Sequence, residues 1–314
     1  MNTFKKCIIC QKDTTELLYA PLQIVRCKIC GLIYRDVCGV ESDYTGLIKY
    51  RSNLEDPAKM AGRRRNAQFR LGLLQKVIKS KGKLLDIGFN EGLFLFEAQK
   101  NGYMSFGCEP NIYAFNYAKG LGLNLINSSF ETAFAELKTK GPYDFISLFH
   151  VLEHFENPLT ILEMISKLIA VNGVLIVEVP DIKSPVSRIY KWSDARINKD
   201  HLFYFNAGNL KSILNEAGFR VIYSKRIVWD GFNRPFIENL IRFPLFSNIY
   251  MLLRRLKICF KRPVPRSDLK DNTELWPQHR DKNKRYFLAG FLGRVVFYMY
   301  RGDDLYTISK VNEV

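Results

Sequence analysis

Four cysteines stand in two pairs near the start of the chain, Cys7-Ile8-Ile9-Cys10 and Cys27-Lys28-Ile29-Cys30, with sixteen residues between the pairs. Two C-x-x-C turns at that separation can close four thiolates around one ion, which is the arrangement of a tetrahedral zinc site. Gly31, directly after the second pair, suits a turn with unusual backbone angles. Four protein ligands leave no coordination position open, so the expected role of such an ion is structural. Four ordinary buried cysteines and a redox C-x-x-C are the competing readings. No thioredoxin-like βαβ pattern accompanies the pairs, and the matched spacing favours metal.

A second constellation begins at Leu84-Leu85-Asp86-Ile87-Gly88-Phe89-Asn90-Glu91-Gly92. Asp86, Gly88 and Gly92 stand where an apolar strand gives way to a helix, and glycines there let the backbone come close to a ligand. A dinucleotide does not fit. From Gly88 onward, Asn90 and Leu93 occupy the places of the second and third glycines of G-x-G-x-x-G, and Asp86 would set a carboxylate near a pyrophosphate. A cationic ligand removes the electrostatic objection. A second acid, Glu109 in Gly107-Cys108-Glu109-Pro110-Asn111, follows at the separation from which a carboxylate accepts hydrogen bonds from ribose hydroxyls.

The third constellation is His150-Val151-Leu152-Glu153-His154. It matches the H-x-x-E-H pattern of zinc metallopeptidases, in which two histidines share one helix face and the glutamate activates water. That chemistry needs a long helix. Here the motif follows a strand and is cut short by Asn157-Pro158, so a loop is expected, with Leu152 in the core and His154 near an acceptor pocket.

The elements that must position these residues alternate in type. Strands are predicted at 83–87, 105–109, 124–126, 144–149, 173–179 and 219–224, and helices at 92–101, 112–121, 159–169 and 207–217, the last capped by Asn206 and ended by Gly218. Such alternation implies an α/β fold with a Rossmann-like, mostly parallel sheet, helices on both faces, and ligands at the carboxyl ends of the strands. A helix before the first strand is predicted from Phe69, Leu73, Leu74, Val77 and Ile78, with Arg63-Arg64-Arg65 as its solvated face. The domains expected are a zinc ribbon over 1–40, a ligand-binding domain over 41–230 and a basic, aromatic-rich helical extension over 231–314. Tyr44 and Tyr50 are candidate lid aromatics; Cys38, Cys108 and Cys259 are expected to serve packing.

The order D-x-G-x-x-x-G followed by Glu109 resembles class I S-adenosylmethionine-dependent methyltransferases. Asn90 stands where that family has its middle glycine; asparagine tolerates positive φ, so the turn can survive. Phe149-His150-Val151-Leu152-Glu153-His154-Phe155-Glu156-Asn157-Pro158 resembles the segment after the fourth strand in the ubiquinone-biosynthesis-type subgroup. Residues 171–180 resemble its fifth strand, and His201-Leu202-Phe203-Tyr204-Phe205-Asn206, continuing to Ala217-Gly218-Phe219, its closing strand-helix-strand. The similarity spans about residues 60–225. A four-cysteine knuckle ahead of such a domain is similar to methyltransferases that modify sugars and polysaccharides. The resemblance implies S-adenosylmethionine as cofactor, held by Asp86, Gly88, Phe89, Asn90, Gly92, Glu109, Pro110, Phe130, Phe149 and His150, beside the structural zinc on Cys7, Cys10, Cys27 and Cys30. A hydroxyl acceptor would gain from a base, for which His201 and His154 are the candidates. Tyr113, Tyr190 and Trp192 are candidate pocket residues.

Bulk composition bounds the rest. Of 314 residues 47% are hydrophobic, which excludes a disordered chain. The formal net charge of +16 suggests an acidic partner: a nucleotide-linked acceptor, an anionic membrane surface or nucleic acid. The N-terminus carries no apolar signal region, and no apolar run is long enough to span a bilayer, including 287–300. A cytoplasmic protein is expected, with peripheral contact to the inner membrane surface through Arg254-Arg255, Lys261-Arg262 and their aromatic neighbours. The expected acceptor is a small molecule such as a nucleotide sugar. Two other readings stand beside it. One is an RNA methyltransferase gripping phosphates with its ribbon and positive charge, although no Asn-Pro-Pro-Tyr-type base-methylation motif is present. The other is a non-catalytic zinc scaffold with a degenerate cofactor fold, motivated by Asn90.

Overall fold

The computed structural model describes residues 6–36, 54, 56–184, 187, 197, 200–227 and 304–311. Cys38, Tyr44, Tyr50, Tyr190, Trp192, Cys259, the basic pairs at 254–255 and 261–262 and the window 287–300 lie outside the described residues. The chain divides into two units, Met1–Asp230 with Arg301–Val314, and Gly231–Tyr300. All of the described residues belong to the first unit.

Seven strands form the main sheet: β4 (Lys83–Ile87), β5 (Met104–Cys108), β6 (Asn124–Ile126), β7 (Tyr143–Phe149), β8 (Ile169–Pro180), β10 (Phe219–Ile227) and β11 (Asp304–Val311). Their order is β10-β11-β8-β7-β4-β5-β6. β8, β7, β4, β5 and β6 pair in parallel, and β11 runs antiparallel to both of its neighbours. The mostly parallel α/β sheet expected from the sequence is therefore present.

Alternation along these strands divides the core in two. Leu85, Ile87, Ile146, Leu148, Leu175, Val177 and Leu305 face one side, where α4 (Phe130–Lys140), α5 (Pro158–Ser166) and α6 (Ala207–Glu216) cover them. Leu84, Phe145, Val174, Ile176, Tyr306 and Ile308 face the other side, under α1 (Pro57–Val77), α2 (Leu93–Lys100) and α3 (Ile112–Lys119). Strands buried on both faces read as continuous apolar runs, as 174–177 does. Asn111, Ser129, Asn157 and Asn206 cap α3, α4, α5 and α6 through side-chain oxygens that accept backbone N–H groups otherwise left unpaired.

The N-terminal strands β1 (Thr15–Tyr19), β2 (Ile24–Cys27) and β3 (Ile33–Arg35) make a second antiparallel sheet, completed by β9 (Phe203–Tyr204) from the main domain. Ile33 pairs with Tyr204 and Tyr34 with Phe203, and Asn209 Nδ2 donates to Gly31 O across the same junction. Cys7, Val25, Cys27, Leu32 and Tyr34 belong to the same apolar cluster as Phe203 and Phe205. The cysteine-bearing segment thus shares a core with the larger domain, which compensates for the core that forty residues lack by themselves.

Three sequence expectations need correction. The segment 231–314, read as a helical extension, ends in a strand: β11 sits inside the main sheet, its first six residues all buried. Arg63 and Arg64 are not simply a solvated face, because they pair with Glu91 and with Glu97 (2.6 Å). Phe69 is 43% exposed, and Leu71 takes its place in the core beside Leu73 and Leu74.

Candidate functional site

The turn after β4 carries three left-handed residues, Gly88 (φ 69°), Asn90 (φ 54°) and Gly92 (φ 69°). Asn90 therefore adopts the conformation for which asparagine is among the better non-glycine choices. The two glycines also have neighbours that forbid a side chain. A Cβ on Gly88 would lie 2.5 Å from Val151 Cγ2, and one on Gly92 would lie 2.8 Å from Ala118 Cβ. Their compactness lets the loop after β7 and helix α3 close against the turn, a packing role beyond the approach to a ligand expected from the sequence. Phe89 points its ring inward, onto Gly107 of β5, and anchors the turn from below.

Asp86 and Glu109 stand at the carboxyl ends of neighbouring parallel strands, where ligands of such sheets bind. Asp86 is 2% exposed and accepts a 2.6 Å hydrogen bond from the Ser147 hydroxyl. Burial raises its carboxyl pKa to about 7, against the opposing pull of the Ser147 hydrogen bond and Arg70. Glu109 accepts from the backbone N–H of Asn90 (2.9 Å) and of Asn111 (2.9 Å), which ties the second acid to the turn. Burial raises its pKa too, partly offset by those two hydrogen bonds. The Asn127 amide donates to the carbonyls of Glu109 and Pro110 and fixes the loop beyond the acid. Phe130 is buried at the start of α4, edge-on to Phe134. Tyr113 is exposed on the first turn of α3.

Beside β4, the end of β7 meets a charged cluster that the sequence alone does not reveal. Arg70, from α1, donates to both oxygens of Glu178 (2.9 and 2.5 Å), and its guanidinium lies over the Phe149 ring at 4.3 Å. Phe149 in turn contacts Phe94 and Tyr306, so its ring is part of this stack. His150 Nε2 sits 2.9 Å from Glu178 and 3.6 Å from Asp304, the first residue of β11. Because β11 is antiparallel, its start lies at the carboxyl end of β8, opposite Pro180. Burial alone would lower the pKa of His150; Asp304, Glu153 and Glu178 outweigh it and hold the imidazole well above its ordinary value. His150 also has φ 56°, a conformation a non-glycine residue holds only when its surroundings enforce it. Signals for the cluster are thin in the sequence. Arg70 is one arginine among several on its helix, and Asp304 lies 126 positions after Glu178.

Of the H-x-x-E-H residues, Glu153 and His154 lie on a single 3-10 turn, Leu152–His154, and His150 precedes it, so the long helix of a metallopeptidase is absent here. Glu153 is 1% exposed, and neither of its carboxylate oxygens has a hydrogen-bond partner among the described residues. Despite its burial, the nearby His150, His154 and His201 hold its pKa down at about 2. The rings of His154 and His201 meet edge to face at 4.7 Å, and His154 Nδ1 donates to the carbonyl of Asp200 at 2.8 Å. The two histidines singled out from the sequence are therefore brought together, 47 residues apart in the chain. Pro180, Ile182, Ser187 and Phe203 line a small cleft with His201.

Around the N-terminal strands, one Sγ from each of Cys7, Cys10, Cys27 and Cys30 lies within 4.8 Å of all the others. The two turns that present them are alike: Gln11 (φ 55°) and Gly31 (φ 71°) follow the pairs, and each donates its N–H to the carbonyl of the first cysteine. Four soft thiolate donors converging this closely fit a tetrahedral zinc ion. No helix among the described residues is long and apolar enough to cross a membrane.

Comparison with known proteins yields a family model described as a methyltransferase domain, matching residues 58–224. Among solved structures, one S-adenosylmethionine-dependent methyltransferase from Archaeoglobus fulgidus is 20% identical, with a TM-score of 0.50 over 85% of this chain and 100% of that one. A chain from a Haloferax volcanii complex of a methyltransferase activator with a methyltransferase is 12% identical, with a TM-score of 0.51 over 88% and 100%. These two show a shared fold. No curated protein matches the sequence.

Proposed function

Since the chain belongs to the methyltransferase domain family, its model matching residues 58–224, we propose that it moves a methyl group from S-adenosylmethionine to an oxygen of a small anionic acceptor. The observation that carries this reading is the pair of acids on adjacent strand ends, Asp86 and Glu109, set about a turn of three left-handed residues. Glu109 supplies a carboxylate for the ribose hydroxyls, and Asp86 a buried acid for a cationic donor. The donor brings an activated sulfonium carbon; an acceptor lone pair forms the new bond to that carbon while the carbon–sulfur bond breaks and sulfur keeps its electron pair. The protein's own work is then positioning and exclusion of water. The net charge of +16 supports a phosphate-bearing acceptor such as a nucleotide sugar or glycan precursor.

Calorimetry with S-adenosylhomocysteine tests the donor site. Binding is expected, and Glu109→Ala should weaken it at least tenfold. The pH dependence follows from Asp86, which is largely protonated below about 7 in the free protein. A cation bound beside it favours the carboxylate, so S-adenosylmethionine should bind more tightly as pH rises through 7, with proton release at pH 6. Asp86→Asn should remove that release, and an unaltered proton count in this variant would refute the role given to Asp86. Salt-sensitive retention on RNA, unmatched by nucleotide sugars, would move the acceptor to nucleic acid.

We also infer zinc on the four cysteines. Metal analysis should return zinc, and Cys10→Ser should lose one zinc per chain relative to the wild type and melt earlier, since in small sites metal binding supplies folding energy. Full zinc content in Cys10→Ser would sink this assignment.

A further inference from the structure

We propose that Glu153, His154 and His201 form a second metal site, for a divalent first-row transition ion, at the acceptor side of the donor turn. One ligand atom from each of the three lies within 4.8 Å of the others. Two carboxylate-histidine clusters meet that distance among the described residues, and they differ in a telling way. In His150, Glu178 and Asp304 the central carboxylate is saturated, with Arg70 on both oxygens and His150 at 2.9 Å. That group is an ion-pair network. Glu153 has the opposite condition: 1% exposed, with both oxygens lacking a hydrogen-bond partner among the described residues. A buried carboxylate left so costs free energy unless a cation meets it. His150 Nδ1 stands 3.6 Å from Glu153 Oε1, an ion pair that offsets part of this cost but gives neither oxygen a hydrogen bond.

The tautomer of His154 points the same way. A carbonyl oxygen only accepts, so the 2.8 Å contact with Asp200 makes Nδ1 the protonated nitrogen and leaves the Nε2 lone pair for a ligand. Histidines that bind metals commonly donate their other N–H to a carbonyl in this manner. Two imidazoles and one carboxylate suit Mn, Fe, Co, Ni or Zn and leave positions for water or substrate. The place is also apt. Val151, two residues before Glu153, rests against Gly88 of the donor turn. Where the methyl-transfer reading holds, an acceptor oxygen on this ion would lose its proton more easily. The two histidines then act as ligands rather than as bases.

The test uses Mn²⁺ and the full zinc-loaded chain, because a four-thiolate site selects against this hard ion. Loss of the free Mn²⁺ paramagnetic resonance signal reads binding directly, without activity. The wild type should take up one Mn²⁺. His154→Ala, at an exposed position, and Glu153→Gln should each weaken uptake tenfold or more, while Glu131→Gln leaves it unchanged. Retained S-adenosylhomocysteine binding in His154→Ala shows that the fold persists. Absence of Mn²⁺ uptake by the wild type, or equal uptake by His154→Ala and Glu153→Gln, overturns the site. Mn²⁺ uptake without S-adenosylhomocysteine binding would support the metal site and overturn the donor reading instead.

Discussion

Deleting residues 301–314 is expected to abolish cooperative melting of the main unit. β11 fills a slot between β8 and β10, pairing with seven residues of the first, Val174–Val179 and Pro180, and with Phe219–Ile227 of the second. Without it β10 has no place in the sheet, and β8 exposes a row of unpaired N–H and C=O groups. The strand also contributes Leu305 to one face of the core and Tyr306 and Ile308 to the other. Burying each such side chain contributes roughly 1.5–3 kcal/mol. Three of them together approach the whole net stability of a domain, about 5–15 kcal/mol. Near-ultraviolet circular dichroism during heating should show a single transition for the full chain and a broad, featureless slope for the truncated one. Adding a peptide of residues 301–314 should restore part of the transition. A truncated chain that melts as the full one does would show that β11 contributes nothing to the unit.

The same strand marks the limit of what the sequence makes legible. The stretches 83–87, 144–149 and 173–179 declare themselves because strands buried on both faces are mostly apolar and have glycine, proline or asparagine at or near their ends. The turn after β4 is legible because positive φ restricts residue choice, and Gly88, Asn90 and Gly92 display that restriction directly. β11 offers neither signal. Its residues, Asp-Leu-Tyr-Thr-Ile-Ser-Lys-Val, alternate apolar with polar as a half-exposed edge strand would, and yet Thr307 and Ser309 are buried. Thr307 stands beside the Ser224 hydroxyl at 3.5 Å, whereas the Ser309 hydroxyl has no hydrogen-bond partner among the described residues, and only the assembled sheet shows either. In the site, His154 and His201 are legible as residue types. That Glu153 and not His150 stands with them is not, because on a helix the two histidines of H-x-x-E-H would face together. A 3-10 turn separates them instead.

Replacing Arg70 by methionine is expected to destabilise the unit by about 3–5 kcal/mol at neutral pH, the usual cost of stripping one partner from a buried ion pair. The argument rests on Glu178, which is fully buried in β8 and holds its charge because of what surrounds it. Burial pushes its pKa up; the Arg70 guanidinium, and then His150, outweigh that and hold it below the ordinary glutamate value. A carboxylate with a depressed folded pKa contributes stability that is present above its unfolded pKa and fades as pH falls through the folded one. In Arg70→Met the main compensation is gone, so Glu178 is forced toward protonation. The gap between variant and wild type should therefore be widest at neutral pH and should narrow toward pH 4. Methionine keeps the apolar contact with Phe149 but forfeits the cation over its ring, now 4.3 Å away. For a unit of this size the loss corresponds to roughly 10 °C in melting temperature. Pairing the change with Glu178→Leu removes the stranded charge and should recover more than half of the loss, leaving His150 to Asp304 and Glu153. Scanning calorimetry of the two single variants, the double variant and the wild type at pH 4 and 7 closes the cycle. A double variant no more stable than Arg70→Met would mean that packing of the arginine stem, not its charge, holds α1 to the sheet.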